Sequence, residues 1–338
     1  MNATPTVTKT SKNSARNSTF GEILEWKSNR TGLEGRSKRS IFKITVYQDG
    51  IIRVQASRME SFEPNPYSVV SSPEQTAFKL EESQEKLILK TNLLKLEIDL
   101  ASFRLSFYDQ SGKLLNQDDS LGISWIGTEV SNYKEVQLNE KFLGLGEKTG
   151  NLNRFGKAYT NWNTDYFAYG VGDDPLYMSI PFYLGVHDQG AYGIFFDNTH
   201  KTVFNFGAST NRFIYYSAED GDMDYYFIHQ PSMAEIISAY TWLTGRMQMP
   251  PKWALGFQQC RYSYYPESEV HAVAQGFRDK KMPADVIYLD IHHMDRYRVF
   301  TWHPRRFPQP AALHRQVLQQ RHDALRGGAG RVLARRWN

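Results

Sequence analysis

The sequence predicts two architectures in series, an antiparallel β-sandwich and then a parallel βαβ unit. Three observations carry this expectation. Short alternating apolar segments separated by turn residues fill the chain from about residue 20 to 245, with few long helical patterns. Gly245 and Pro250-Pro251 then punctuate the chain. Beyond them, Lys252 to Pro308 reads strand, helix, strand, with an acidic residue where the second strand ends.

Within the first region, Phe42, Ile44 and Val46 alternate with Lys43 and Thr45, Gln48-Asp49-Gly50 makes a turn, and Ile52 and Val54 continue the ribbon. Leu94, Leu96, Ile98 and Leu100 alternate with Lys95, Glu97 and Asp99, the period of a half-buried strand. Leu105 and Phe107 precede a Ser111-Gly112 turn, and Gly193 to Asp197 reads as a buried strand. Regular turns of this kind indicate a sandwich. One helix is expected here, over Ser232 to Leu243, with Ser232 as N-cap and Glu235 completing a capping box.

After the boundary, Trp253, Leu255 and Phe257 read as a strand. Pro266, Glu267 and Glu269 suit the start of a helix, because Pro presets φ and acids favour the positive end of the dipole. Val270, Val273, Ala274 and Phe277 give it one apolar stripe, Lys280 and Lys281 suit its last turn, and Met282-Pro283 ends it. Val286 to Leu289 reads as a parallel strand buried on both faces. Polar and aromatic groups gather past both strands: Arg261, Tyr262 and Tyr264 after the first, Asp290, His292, His293 and Asp295 after the second. The carboxyl ends of parallel strands are where such folds bind ligands.

Composition sets bounds. The length of 338 residues suits two domains. Aromatic residues make up 14%, which fits sugar-binding faces and ordinary core filling equally well. A net charge of +4 argues little for a nucleic-acid partner, and no apolar run reaches membrane-spanning length. The single cysteine, Cys260, excludes an internal disulfide and fits a reducing compartment, so a cytoplasmic location is expected. Residues 1–19 are rich in Ser, Thr and Asn, with Lys9, Lys12 and Arg16, and are expected to be a disordered tail, although transit peptides share that bias. Asn17-Ser18-Thr19 and Asn29-Arg30-Thr31 match the glycosylation pattern, which matters only on secretion. From residue 314 to 338 the chain turns to Arg, Ala and Gly with Asp323 as its only acid. Such a break can be a basic tail for nucleic acid, but it is expected to mark an aberrant tail from truncated or out-of-frame coding.

Two segments also carry a resemblance. ALGFQQCRYSY followed by ADVIYLDIHHMDRYRVFTW resembles the start of the catalytic barrel in glycoside hydrolase family 31, the α-glucosidase and α-xylosidase family. Upstream, FLGLGEKTGNLNRFGKAYTNWNTDYFAYGVGDDPLYMSIPFYLG (Phe142 to Gly185) resembles the substrate loop of that family's N-terminal sandwich. The likeness covers most of Phe20 to about Pro310. It implies a galactose-mutarotase-like sandwich over 20–246 and the first βα units of an incomplete (β/α)8 TIM barrel over 247–313. It also implies retaining hydrolysis of an α-glucoside or oligosaccharide without metal or cofactor.

By the same resemblance, Asp165 and Asp290 accept hydrogen bonds from hydroxyls of one sugar, Ile291 lines the pocket, and Tyr264 stands near the leaving group. A carboxylate suits that task because it can accept two charge-assisted hydrogen bonds. Retaining glycosidases also need two carboxyl groups roughly 5 Å apart. The family's nucleophile motif, Trp-x-Asp-Met-Asn-Glu, does not occur in the 338 residues. No catalytic residue is therefore assigned, and the chain as given is expected to be a truncated and inactive form. Asp290 with Asp295 is the other carboxylate pair at that strand end.

Without the resemblance, Asp290 could cap the next element or pair with Arg296, and Asn163-Thr164-Asp165 could be a plain turn. His292 and His293, with Asp290 and Cys260, invite a metal reading, but neighbours on an extended segment point opposite ways. The family often has Asp and Tyr at those two positions. Gly144-Leu145-Gly146 lacks the spacing of a phosphate loop. Two rival classes stand beside the enzyme: a non-catalytic carbohydrate-binding sandwich module, and a misfolded product of a damaged gene.

Overall fold

Alternation with a period of two puts half of each strand's side chains on one face, and those faces meet in the first half of the molecule. In a computed structural model, the structure describes residues 18–64, 67–324 and 331–332. Two compact units divide between Arg246 and Met247.

The first unit contains two antiparallel sheets. A ten-stranded sheet runs from Ala158–Asn161 at one edge through Thr202–Asn205, Phe213–Ala218, Glu129–Glu135 and Leu114–Ile126 to Lys79–Glu82 at the other. An eight-stranded sheet runs from Lys141–Gly146 through Ser179–His187, Gly190–Phe196, Met223–Ile228 and Ile51–Ser57 to Glu25–Asn29. The Ile41–Gln48 and Ile51–Ser57 strands pair across the expected turn, and Leu94–Asp99 alternates buried and half-buried as its sequence requires. Pairing begins with Ser18–Thr19 against Trp125 and Ser124, so the expected tail is ordered at those two positions; the remainder of it lies outside the described residues.

The inner faces share one aromatic core. Phe107 of the larger sheet stacks on Phe227 of the smaller at 3.9 Å between ring centroids, and Phe142 stacks on Phe206 at 4.8 Å. A connected set of buried polar groups crosses this core. Lys134 and Asp118, both with wholly buried side chains, form an ion pair at 2.6 Å. Asn132 donates to Asp118, Tyr216 donates to Asn132, and Lys134 donates to Tyr225. Burial lowers the Lys134 pKa and Asp118 opposes that shift.

Helix α1, Met233–Thr244, closes the other face of the smaller sheet. Ser232 accepts from the Glu235 amide and donates to its carboxylate, the expected capping box. Ile236, Ala239 and Leu243 pack on Phe182, Leu184 and Phe195. The approach is close enough that a Cβ on Gly193 would lie 3.0 Å from Ile236 Cγ2.

The second unit is parallel α/β. Gln258–Gln259, Val286–Ile287 and Arg331–Val332 form a three-stranded parallel sheet. The sandwich followed by a partial barrel is thus the observed fold class. Helix α2, Glu267–Asp279, turns Val270 and Ala274 into the core, with Val273 packed beside them.

The first strand differs from expectation. Trp253 and Leu255 lie in a 3-10 turn, Lys252–Leu255, and the strand starts only at Gln258. Leu255 and Phe257 are 70% and 52% exposed, so this apolar run is not buried sheet. The chain leaves Pro251 directly into a turn closed by the Ala254 amide donating to the Pro251 carbonyl. Helix α2 also stops earlier, with Lys280 as its C-cap and Lys281 at φ 53. Helix α3, Pro310–Ala324, crosses residue 314 without interruption and buries Leu313 and Val317 in the core. The third strand, Arg331–Val332, falls in the segment expected to be an aberrant tail; residues 325–330 and 333–338 lie outside the described residues.

One carboxyl makes sandwich stability sensitive to pH. Glu140 is 5% exposed, and burial pushes it up to about 7, against hydrogen bonds from the Tyr192 hydroxyl and the Gln137 amide. The folded protein therefore holds this proton more tightly than the unfolded chain. The stability it contributes is complete below the ordinary value of 4.5 and is lost as pH rises through about 7. Relative to Glu140→Gln, the unfolding free energy should fall by about 3 kcal/mol over that interval, measured by urea denaturation at stepped pH.

Candidate functional site

Two places in the chain gather the groups singled out by sequence, one in each unit. In the second unit, Asp290 follows the Val286–Ile287 strand, with Leu289 4% exposed just before it. Its backbone sits at φ 60 and ψ −155, a region sparsely occupied by residues other than Gly and typical of functional sites. Three contacts hold that geometry. Ser263 Oγ donates to the Leu289 carbonyl at 2.8 Å, the Tyr264 amide donates to the same carbonyl at 3.4 Å, and His293 Nδ1 donates to the Asp290 carbonyl at 2.5 Å. The half-buried Asp290 carboxylate itself has no hydrogen-bond or ionic partner among the described residues.

Ile291 opens a 3-10 turn, Ile291–His293, and is half-buried. The two histidines therefore lie on a turn, not on the extended segment expected from sequence. His292 is ringed by Tyr265, Tyr262 and Tyr297 at 4.7, 5.3 and 5.9 Å between ring centroids, and His293 lies against Trp302 at 5.1 Å. Arg306 stacks on Tyr265 and donates to the His292 carbonyl. Asp295 is ion-paired with Arg298 and so is already engaged. Among the described residues, no group of three or more His, Cys, Asp or Glu is placed to hold a metal ion.

Tyr264, expected to face the substrate, is only 1% exposed. Its ring packs in the core with Val270, Ile287 and Leu289, its hydroxyl accepts from Gln259, and Arg261 covers it at 4.6 Å. Its neighbours Tyr262 and Tyr265, 75% and 40% exposed, carry the aromatic surface instead. Spacing could not separate these three tyrosines, because the turn that sorts them is irregular.

In the first unit, Asp165 lies on the connection from Ala158–Asn161 to Ser179–His187, which passes from one sheet to the other. Asp165 is exposed and sits beside the Tyr177 hydroxyl; desolvation and then this carboxylate raise the Tyr177 pKa. Phe167 and Trp162 are 89% and 52% exposed on the same connection. Asn163, which a plain-turn reading would leave idle, accepts from the Ser179 amide at 2.7 Å.

Residues 41–205 match the family model for the glycosyl hydrolase 31 N-terminal galactose mutarotase-like domain. Residues 247–325 match the model for the glycosyl hydrolases family 31 TIM-barrel domain. The chain belongs to glycoside hydrolase family 31. An alpha-glucosidase 2 of Bacillus thermoamyloliquefaciens is 41% identical over 271 residues, covering 79% of this chain and 34% of that protein. An alpha-glucosidase of Saccharolobus solfataricus is 38% identical over 187 residues, covering 55% of this chain and 27% of that protein. A family 31 dextranase of Flavobacterium johnsoniae, solved with isomaltotriose, superposes with a TM-score of 0.82 at 34% identity, covering 88% of this chain and 37% of that one. The chain thus spans about a third of the length of these relatives.

The inward Tyr264 has a measurable consequence. Tyr264→Phe should cost about 1 kcal/mol by removing the Gln259 contact, and Tyr264→Ala about 3–5 kcal/mol by opening a core cavity. Urea unfolding of the two variants, followed through the aromatic signal of the second unit, measures both.

Proposed function

We propose that this chain is the substrate-recognising part of an α-glucosidase-type family 31 hydrolase, which cleaves α-glucosidic bonds with retention. The observation that carries the reading is the Asp290 carboxylate. It stands at the carboxyl end of a parallel strand, in a strained backbone conformation, with no partner among the described residues. An unpaired, half-buried carboxylate with fixed backbone suits sugar hydroxyls, which donate hydrogen bonds to it.

Asp165 contributes a second carboxylate, exposed and beside the Tyr177 hydroxyl, and its role is supported by its place on the loop that resembles the family's substrate loop. Ile291 supplies an apolar wall. Tyr264 supports the strand end from behind, since its ring is buried. The sandwich occupies 20–246 and the barrel begins at 247. The substrate class is an α-linked glucoside or oligosaccharide, in line with the isomaltotriose bound to the dextranase relative. The lone cysteine supports a cytoplasmic setting.

Bond cleavage needs a nucleophile and an acid/base that Asp165 and Asp290 do not provide; each serves as a hydrogen-bond acceptor for sugar hydroxyls. The purified 338-residue chain should therefore release no more product from an aryl α-glucoside than a mock preparation, and turnover above that background would overturn the assignment. In calorimetric titrations with maltose and isomaltose, Asp165→Asn and Asp290→Asn should each weaken binding about tenfold or more, the worth of one charge-assisted hydrogen bond. Loss with Asp165→Asn but not with Asp290→Asn would favour the sandwich as a binding module by itself.

A further inference from the structure

The loop bearing Asp165 has little apolar packing to hold it. Besides Trp162 and Phe167, Val171 and Met178 are 87% and 58% exposed. A connection so exposed would ordinarily move, because local stability follows buried contacts. Yet it is tied at several points, and three of those ties come from three consecutive residues just after the Lys141–Gly146 strand.

Glu147 accepts from the Tyr169 hydroxyl at 3.3 Å. Thr149 Oγ1 accepts from the Gly172 amide at 2.9 Å. Between them, Lys148 donates from Nζ to Asp174 Oδ1 at 2.6 Å and to the Thr160 carbonyl at 2.5 Å. Asp174 in turn accepts from the Thr160 amide through Oδ2 at 2.5 Å. Lys148 and Asp174 thus join the outgoing end of the loop, at Thr160, to its returning limb. The Thr164 amide donating to the Leu176 carbonyl at 2.9 Å closes the neck beside Asp165. The Lys148 side chain is only 1% exposed, so its ammonium exchanges little with water, and burial lowers its pKa against the pull of Asp174. A charged group buried in a loop base is costly unless its partners are fixed, which is the property a clamp requires.

We propose that Glu147-Lys148-Thr149 is a positioning element that holds the 162–178 loop in a single conformation and so presents Asp165 to the sugar. The consequence for sugar binding rests on the reading of Asp165 given above; the mechanical consequence does not. Pre-organisation of this kind raises affinity by removing the ordering cost from the binding step. Lys148 is the centre of the element because its ammonium reaches both limbs, at Thr160 and at Asp174.

Amide hydrogen exchange on the full chain, read by mass spectrometry, tests the mechanics. In Lys148→Met, amides of residues 162–176 should exchange about tenfold faster or more, while those of Ser179–His187 and Gly190–Phe196 keep their protection. Maltose affinity should fall by a similar factor. Unchanged loop exchange overturns the proposal, as does equal loss of protection in those two strands, which would mark Lys148 as a general core residue. If Lys148→Met does not fold, Thr149→Val removes only the tie to Gly172. Faster exchange in the peptide containing Gly172 then supports the clamp, and no change overturns it. Asp165→Asn separates the two readings. Normal loop exchange with unaltered maltose affinity in that variant sinks the sugar role of Asp165 and leaves the clamp standing. If Asp165→Asn abolishes binding while a loosened Lys148→Met loop binds maltose as before, the positioning role is overturned.

Discussion

Each sheet of the sandwich has one face rich in Leu, Ile, Val, Phe and Tyr, and the rest of the first unit follows from having to bury those two faces against each other. Alternation makes the burial all or none for a strand: a slip of one residue would turn Leu94, Leu96 and Ile98 outward and Lys95 and Glu97 inward. The charged groups trapped by this packing needed partners inside it. Lys134 and Asp118 pair with each other and with Asn132 and Tyr225, because an isolated buried charge costs several kcal/mol. Glu140 solves the same problem differently, by holding a proton near neutrality.

The same packing decides where the site loop can be. Ala158–Asn161 is a terminal strand of one sheet, Lys141–Gly146 is a terminal strand of the other, and Ala158–Asn161 contacts Ser179–His187 across the gap. Segments 147–157 and 162–178 therefore both emerge at a sandwich border. There a long connection can be exposed without leaving backbone groups unpaired in the core. Glu147, Lys148 and Thr149 reach the neighbouring loop because both leave from that border. In the second unit the parallel sheet plays the corresponding part, directing Asp290 to the end of a strand whose last carbonyls are already bonded.

Much of this is legible in the sequence. The hairpins at Asp49-Gly50 and Ser111-Gly112, the capped helix after Ser232, and the apolar stripe of Val270, Val273 and Ala274 follow from local rules that tertiary contacts did not overrule. The run Trp253 to Phe257 was illegible because a short apolar segment fits a buried strand and an exposed turn equally well. Tyr262, Tyr264 and Tyr265 are alike in type and adjacent in sequence, so only the path of the irregular turn could bury the middle one and expose its neighbours. Helix α3 and the Arg331–Val332 strand were hidden by composition, since arginine- and alanine-rich sequence reads as tail until Leu313 and Val317 find a core to enter.

Sequence by itself determined the alternation, the turns and caps, the family resemblance, and the residue types able to meet a sugar, because each depends on neighbours a few positions away or on identity alone. Tertiary structure decided which tyrosine is inside, that the Asp290 carboxylate has no partner among the described residues and sits on a strained backbone, and that Lys148 grips both limbs of the Asp165 loop. Those properties depend on groups distant along the chain being brought within hydrogen-bonding reach. No local pattern encodes such distances; only the burial of two sheets against each other sets them.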